Sequence, residues 1–206
     1  MTEKEKMRSG KIYDPSDDVL VEERKKAHIL CKKYNDTFED ETERRAEILD
    51  KLIPQHGENL CLQGPVQIDY GINTTFGDNC YANFNLTILD TCPVKIGNNV
   101  FIGPNVSFLT PLHPLCYQDR NMYVHSEKGC LTDMEYGAPI TIGDNVWIAG
   151  NVTIIGGVTI GSGSVIGAGS VVTHSITENV VAFGNPCKVY RAITDEDRIE
   201  LKKELF

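Results

Sequence analysis

The sequence has no apolar run approaching the ~18 residues that a membrane-crossing helix needs, which excludes a chain built on such spans. Its first segment, Met1 to Asp18, is charged throughout and lacks the apolar centre of a secretory signal, so a cytoplasmic protein is expected. Cationic charge is scarce. Against 29 Asp and Glu stand 20 Lys and Arg, a net charge of -9, which argues against a general nucleic-acid surface and against an anionic membrane as partner. Cys-x-x-Cys pairs are also missing. The seven cysteines (Cys31, Cys61, Cys80, Cys92, Cys116, Cys130 and Cys187) are odd in number and lack ligand spacing. They read as small buried hydrophobes in a reducing compartment rather than as a zinc site or a disulfide framework.

What is present fits a soluble globular protein: 206 residues, 41% hydrophobic and 24% charged, enough for one domain with a small appendage. The first third predicts helices. Ser16, Asp17 and Asp18 precede a run with Leu20, Ala27, Cys31 and Tyr34 on one face. Asp40 with Glu43 suggests a capping box for a second helix carrying Ala46, Leu49 and Ile53, and Pro54 marks its stop. Such a helical hairpin can wall a site, contact another subunit or simply pack.

From about Ile68 the sequence becomes periodic. Ile142, Ile148, Ile154, Ile160, Ile166 and Val172 recur at strict six-residue steps, with Val146, Val152, Val158, Ser164, Ser170 and Ile176 four residues behind each. Phe76, Ile96 and Ile102 open the same pattern upstream. A period of six fits neither a 3.6-residue helix nor a hairpin. It fits a chain that turns a corner every six residues, three faces to a triangular coil, with coils stacked at about the usual 4.8 Å strand spacing. Gly, Asn and Asp tolerate the left-handed backbone that such corners require.

The phase breaks twice. Ile88 to Ile96 is eight residues, and the interval from Leu109 to Pro139 has no repeat at all while collecting polar, aromatic and histidine residues. The second interval must leave the column as an external loop. A loop of that length inside a compact domain is disordered or functional.

The hexapeptide blocks, Asn83-Phe84-Asn85, Asp90-Thr91-Cys92-Pro93, Thr110-Pro111-Leu112-His113-Pro114, Pro139-Ile140-Thr141-Ile142-Gly143 and Gly184-Asn185-Pro186-Cys187-Lys188-Val189 resemble the maltose and galactoside O-acetyltransferase family. The resemblance runs from Glu5 to about Arg191 and is closer to the maltose branch, because Thr91 stands where galactoside enzymes carry a second aspartate. It implies a mainly β fold, a left-handed parallel β-helix with an N-terminal helical hairpin, an external loop and a short C-terminal helix. It divides the chain into a helical segment (1–58), a catalytic β-helix (59–190) with the loop at 109–139, and a helical tail (191–206). The hand comes from the family alone.

The same resemblance implies an acetyl-CoA-dependent enzyme that acetylates a sugar hydroxyl, assembled as a homotrimer with sites between neighbouring β-helices and needing no metal. His113, held between Pro111 and Pro114 at the root of the loop, is its expected general base. A hydroxyl attacks a thioester only as its proton is accepted, and imidazole, with a pKa near ~6.5, suits that task. Glu135 is the expected carboxylate partner, with Glu127 as a rival. Asp69, Asn83, Asp90 and Thr91 lie where acceptor contacts are expected. Gly150, Ala168 and Thr173 match the CoA channel, Lys188 and Arg191 its phosphate-binding end, and His174 replaces the usual lysine. Trp147, the only tryptophan, is either a wall of that channel or packing at a subunit boundary.

Two other classes fit a β-helix. A γ-carbonic-anhydrase-like hydratase requires three histidines on one zinc, and His113, His125 and His174 lack the short spacing of such a set. A non-catalytic scaffold is the other.

Overall fold

The computed structural model describes residues 1–205. Its centre is a three-faced parallel β-solenoid of five complete coils and the start of a sixth. Face one stacks Gln55–His56, Thr74–Phe76, Val94–Ile96, Ile140–Ile142 and Thr159–Ile160. Face two stacks Cys61–Leu62, Tyr81–Ala82, Phe101–Ile102, Trp147–Ile148, Val165–Ile166 and Val180–Gly184. Face three stacks Val66–Ile68, Leu86–Leu89, Ser107–Leu109, Thr153–Ile155 and Val171–Val172. Register is set by the inward column of each face. Phe76, Ile96, Ile142 and Ile160 lie one above another on face one, and Ile68, Ile88, Phe108, Ile154 and Val172 on face three. All are buried.

The corners carry the asparagines. Asn59, Asn79, Asn99 and Asn145 have φ between 54° and 58°, and each amide donates to the next, at 2.9, 3.4 and 3.1 Å. Asn85, Asn105 and Asn151 form a second ladder, at 2.9 and 3.2 Å. A left-handed corner is thus made by a residue whose side chain also ties one coil to the next. Ser164 and Ser170, buried where aliphatic residues were the pattern, donate to the carbonyls of Thr177 and Gly167 and accept from Val180 and Gly184, which fixes the closing turn.

Three helices cap the N-terminal end: α1 (Glu3–Arg8), α2 (Asp18–Asn35) and α3 (Thr42–Leu52). Helix α1 falls inside the expected helical segment 1–58 but precedes the two helices of the expected hairpin. The cap of α2 is Asp17, whose carboxylate accepts from the amides of Val19 and Leu20, while Ser16 turns back to Asp14. The Asp40–Glu43 box does not form. Glu41 caps α3 by position, and its carboxylate goes to the Phe38 amide and to Arg44 instead. Ala27, Cys31 and Tyr34 of α2 join Leu49 and Leu52 of α3 in one core with Leu62, Val66 and Ile68 of the first coil. Asn35 closes the open edge of face three, donating to the Val66 carbonyl (2.9 Å) and accepting from its amide (2.8 Å) as a neighbouring strand would.

At the far end, Cys187–Ala192 pairs antiparallel with Val180–Gly184. Arg191 therefore lies in a strand. In place of the expected C-terminal helix, the tail makes three single 3-10 turns, Asp195–Asp197, Ile199–Leu201 and Lys203–Leu205, because acidic, basic and apolar residues alternate there without a buried face. The last residue of that tail, Phe206, lies outside the described residues. No described helix is long and apolar enough to cross a membrane.

Candidate active site

The interval from Thr110 to Pro139 leaves the end of face three and returns to face one one coil later. Its root is an antiparallel pair in which Pro111 faces Gly137 and Leu112 faces Tyr136. Continued by one residue, that register sets His113 across from Glu135. The ligand-type atoms of His113, Asp133 and Glu135 lie within 4.8 Å of one another. Asp133, not Glu135, is paired with the imidazole, its Oδ2 lying 3.4 Å from Nδ1. Among the described residues nothing bonds Nε2 of His113, and the residue lines the cleft. Glu135 accepts instead from the hydroxyl of Tyr13. Burial first, and the neighbouring carboxylate second, push the Tyr13 phenol well above its usual range, so it stays a donor. Glu127 is exposed at the outer tip, its amide donating to His125, and does not reach His113.

The N-terminal segment straps this loop down. The Tyr13 amide donates to the Glu135 carbonyl (3.0 Å), the Thr132 hydroxyl to Asp14 (2.6 Å) and Lys128 to the Ser16 carbonyl (2.8 Å). His125 lies 3.5 Å from Asp14. Burial acts to raise the Asp14 carboxyl, but the bonds from Thr132 and Ser16 outweigh it and hold the carboxyl below its ordinary value. Gly10 makes the approach possible: its φ is 73°, and a Cβ there would stand 2.6 Å from the Gly137 carbonyl oxygen.

A cleft of about 660 Å³ opens between α2, the corner joining faces three and one, and this loop. Of the expected acceptor residues, Asp69 and Thr91 line it, together with Arg24 and Tyr70, which sequence reasoning missed. Arg24 donates to the Tyr70 hydroxyl at 3.1 Å, and Asp69 lies 3.3 Å from His28. Asn83 and Asp90 do not line it. Asn83 sits past face two, a whole face away, with its side-chain Oδ1 accepting from the Phe84 amide.

Asp90 is 0% exposed, and its carboxylate accepts from the Tyr70 amide (2.8 Å) and the Thr74 hydroxyl (2.9 Å). It shapes the turn that presents Asp69 and Tyr70, so in this fold it is a support rather than the expected acceptor contact. Burial pushes its carboxyl up to about 6. A folded-state pKa above the unfolded value gives stability that is present in full below about 4 and is lost as pH rises through about 6. Asp90→Asn cannot ionise, so it should gain on the wild type by about 2.5 kcal/mol between pH 4 and pH 7.5, at ~1.4 kcal/mol per unit. Urea unfolding at the two pH values reads this directly, and an unchanged gap would show that the group does not titrate with folding.

The expected CoA residues divide between two corners. Gly150 and Ala168 follow face two, and a Cβ on Gly150 would stand 3.3 Å from Pro104. Thr173 and His174 follow face three, two coils beyond the root of the loop, and bond each other at 2.9 Å. Trp147 points outward from face two between Phe101 and Val165 and is 53% exposed. Lys188 has no ion-pair partner among the described residues. Arg191 is not a free cation: both its terminal nitrogens hold Asp197, at 2.7 Å each.

The three histidines of a hydratase do not converge, since His113 meets Asp133, His125 meets Asp14 and His174 meets Thr173. The group among the described residues that could seat a cation is His113, Asp133 and Glu135.

The maltose acetyltransferase hexapeptide capping motif matches residues 6–57, six bacterial transferase hexapeptides match 139–174, and a succinyl-transferase hexapeptide repeat matches 93–108. The galactoside O-acetyltransferase of Escherichia coli K12 is 43% identical over 194 residues, 94% of this chain and 91% of that protein. The chain belongs to the maltose and galactoside O-acetyltransferase family. A solved maltose O-acetyltransferase from Clostridium difficile 630 aligns with a TM-score of 0.86 at 45% identity, covering 95% of this chain and 99% of that one. A galactoside acetyltransferase solved in complex with coenzyme A aligns at 0.84 and 43% identity, covering 96% and 94%. This family member is accordingly an acetyltransferase with the capping motif as α1 to α3 and the repeats as the solenoid.

Proposed function

We propose that this acetyltransferase moves the acetyl group of acetyl-CoA directly to a hydroxyl of a sugar in the cleft, with His113 as general base. The observation that carries the reading is His113 at the mouth of the cleft, its Nδ1 against Asp133 and its Nε2 open. Asp133 fixes the tautomer that leaves Nε2 able to accept a proton, and stabilises the imidazolium that forms as the hydroxyl attacks. The proton then passes to the departing thiolate of CoA. Glu135, anchored by Tyr13, and Asp69 supply acceptors for sugar hydroxyls, and Arg24 a donor.

The acetyl donor is supported by the CoA-bound relative and by the small residues at the two corners. Those corners flank face three, so one chain holds His113 and Thr173 on one edge and Gly150 and Ala168 on the other. A threefold assembly that sets one edge against the next chain's opposite edge completes the site and covers Trp147 and Phe101, more than half exposed. The seven free thiols suit the reducing cytoplasm. Release of free CoA thiol with maltose, glucose and galactosides tests the activity. Initial-rate plots should intersect, as a ternary complex requires. Parallel lines with an acetylated cysteine would overturn direct transfer.

A further inference from the structure

The cleft does not end at His113. Where Val21 and Arg24 line it, a second concavity of about 400 Å³ continues along the flank of α2, bounded also by Lys25, His28, Ile29 and Lys32. Steps of three and four residues place all six on one helical strip, distinct from the strip of Leu20, Ala27, Cys31 and Tyr34 that α2 buries. Neither Lys25 nor Lys32 has a carboxylate within ion-pair distance among the described residues; the nearby helical pair is Lys26 with Glu22 on the adjoining flank. In a chain of net charge -9, beside a cleft holding Asp69, Asp133 and Glu135, this groove reverses the sign of the surface. Ile29, 46% exposed, lies between the cations, and Val21, 42% exposed, lies at the end shared with the cleft; the two give a sugar ring apolar surface to rest on.

We infer that the groove is a subsite for an anionic unit of the acceptor, so that the favoured substrate is a saccharide bearing a carboxylate one unit away from the acetylated hydroxyl. This rests on the sugar acetylation proposed above. The two signs divide the labour. Three carboxylates around the reacting hydroxyl disfavour an anion there, and the lysines draw it along α2, so charge alone fixes which end of the acceptor meets His113.

The test compares a glucuronyl-glucose disaccharide with its neutral glucosyl-glucose counterpart, on the full chain, by CoA thiol release. The acidic sugar should show about tenfold higher kcat/KM or more, a preference that shrinks in about 0.5 M sodium chloride as the charges are screened. The double reversal Lys25→Glu with Lys32→Glu should abolish the preference while turnover of the neutral sugar stays within about twofold. Equal kcat/KM for the two sugars in the wild type, or a preference that survives the reversal, would overturn the groove's role. If no sugar releases thiol, the acetylation reading fails instead. Calorimetric titration of the acidic disaccharide into wild type and variant then decides the groove by itself: binding lost on reversal supports it, and equal or absent binding refutes it.

Discussion

Replacing His113 with alanine is expected to lower kcat by about 10²- to 10⁴-fold while the KM for acetyl-CoA changes little. The imidazole is the proposed acceptor of the hydroxyl proton, and it lies two coils from Thr173 on its own edge and across face three from Gly150 and Ala168, where the pantetheine arm would pass. Removing it costs the proton transfer but not the binding of the donor. Asp133→Asn should also lower kcat, because it weakens the hold on Nδ1, whereas Glu127→Gln, at the exposed tip, should not. A His113→Ala enzyme with half the wild-type kcat would remove the general-base role. Loss of activity with equal loss of acetyl-CoA binding would point to a structural part for the residue.

The solenoid was legible because its constraint is local. A corner every six residues forces an aliphatic residue inward and an asparagine or glycine outward, and both leave a direct mark at fixed spacing. The external loop was legible as the interruption of that mark, and His113 as a histidine pinned by prolines at its root. The partner of His113 was not. Asp133 sits two residues from Glu135, the spacing that puts side chains on the same side of an extended strand, so the pair was visible in principle once Glu135 was singled out. Choosing between them required knowing that Tyr13 occupies Glu135, a contact across 122 residues of sequence. The strap of Tyr13, Asp14 and Ser16 onto the loop carries no period, and neither does the role of Asp90, whose acceptor-like position in the repeat conceals complete burial. Arg24 belongs to a helix whose exposed flank reads as ordinary solvated charge until the loop is folded beside it. Arg191 was matched to the phosphate-binding end by resemblance alone, and its neutralising partner, Asp197, lies in a turn of the tail for which that resemblance implied a helix.

Ile154→Asp is expected to prevent folding altogether, whereas Ile154→Val should fold and lose only about 0.5 to 1.5 kcal/mol. Ile154 is fully buried on the fourth coil, between Phe108 of the third and Val172 of the fifth. The aspartate forfeits ~1.5 to 3 kcal/mol of apolar burial and places a carboxylate among aliphatic side chains, where an unpaired charge costs several kcal/mol more even after relaxation. Together these approach the ~5 to 15 kcal/mol by which whole domains are stable. Position makes the defect worse. In a stack each coil is held mainly by its neighbours, so a break in the fourth separates the coils that carry Thr173 and the closing hairpin from those that support the loop and His113. Circular dichroism and thermal melting of the two variants read the outcome. A cooperative melt for the aspartate variant within a few degrees of wild type would show that the inward column does not govern the fold.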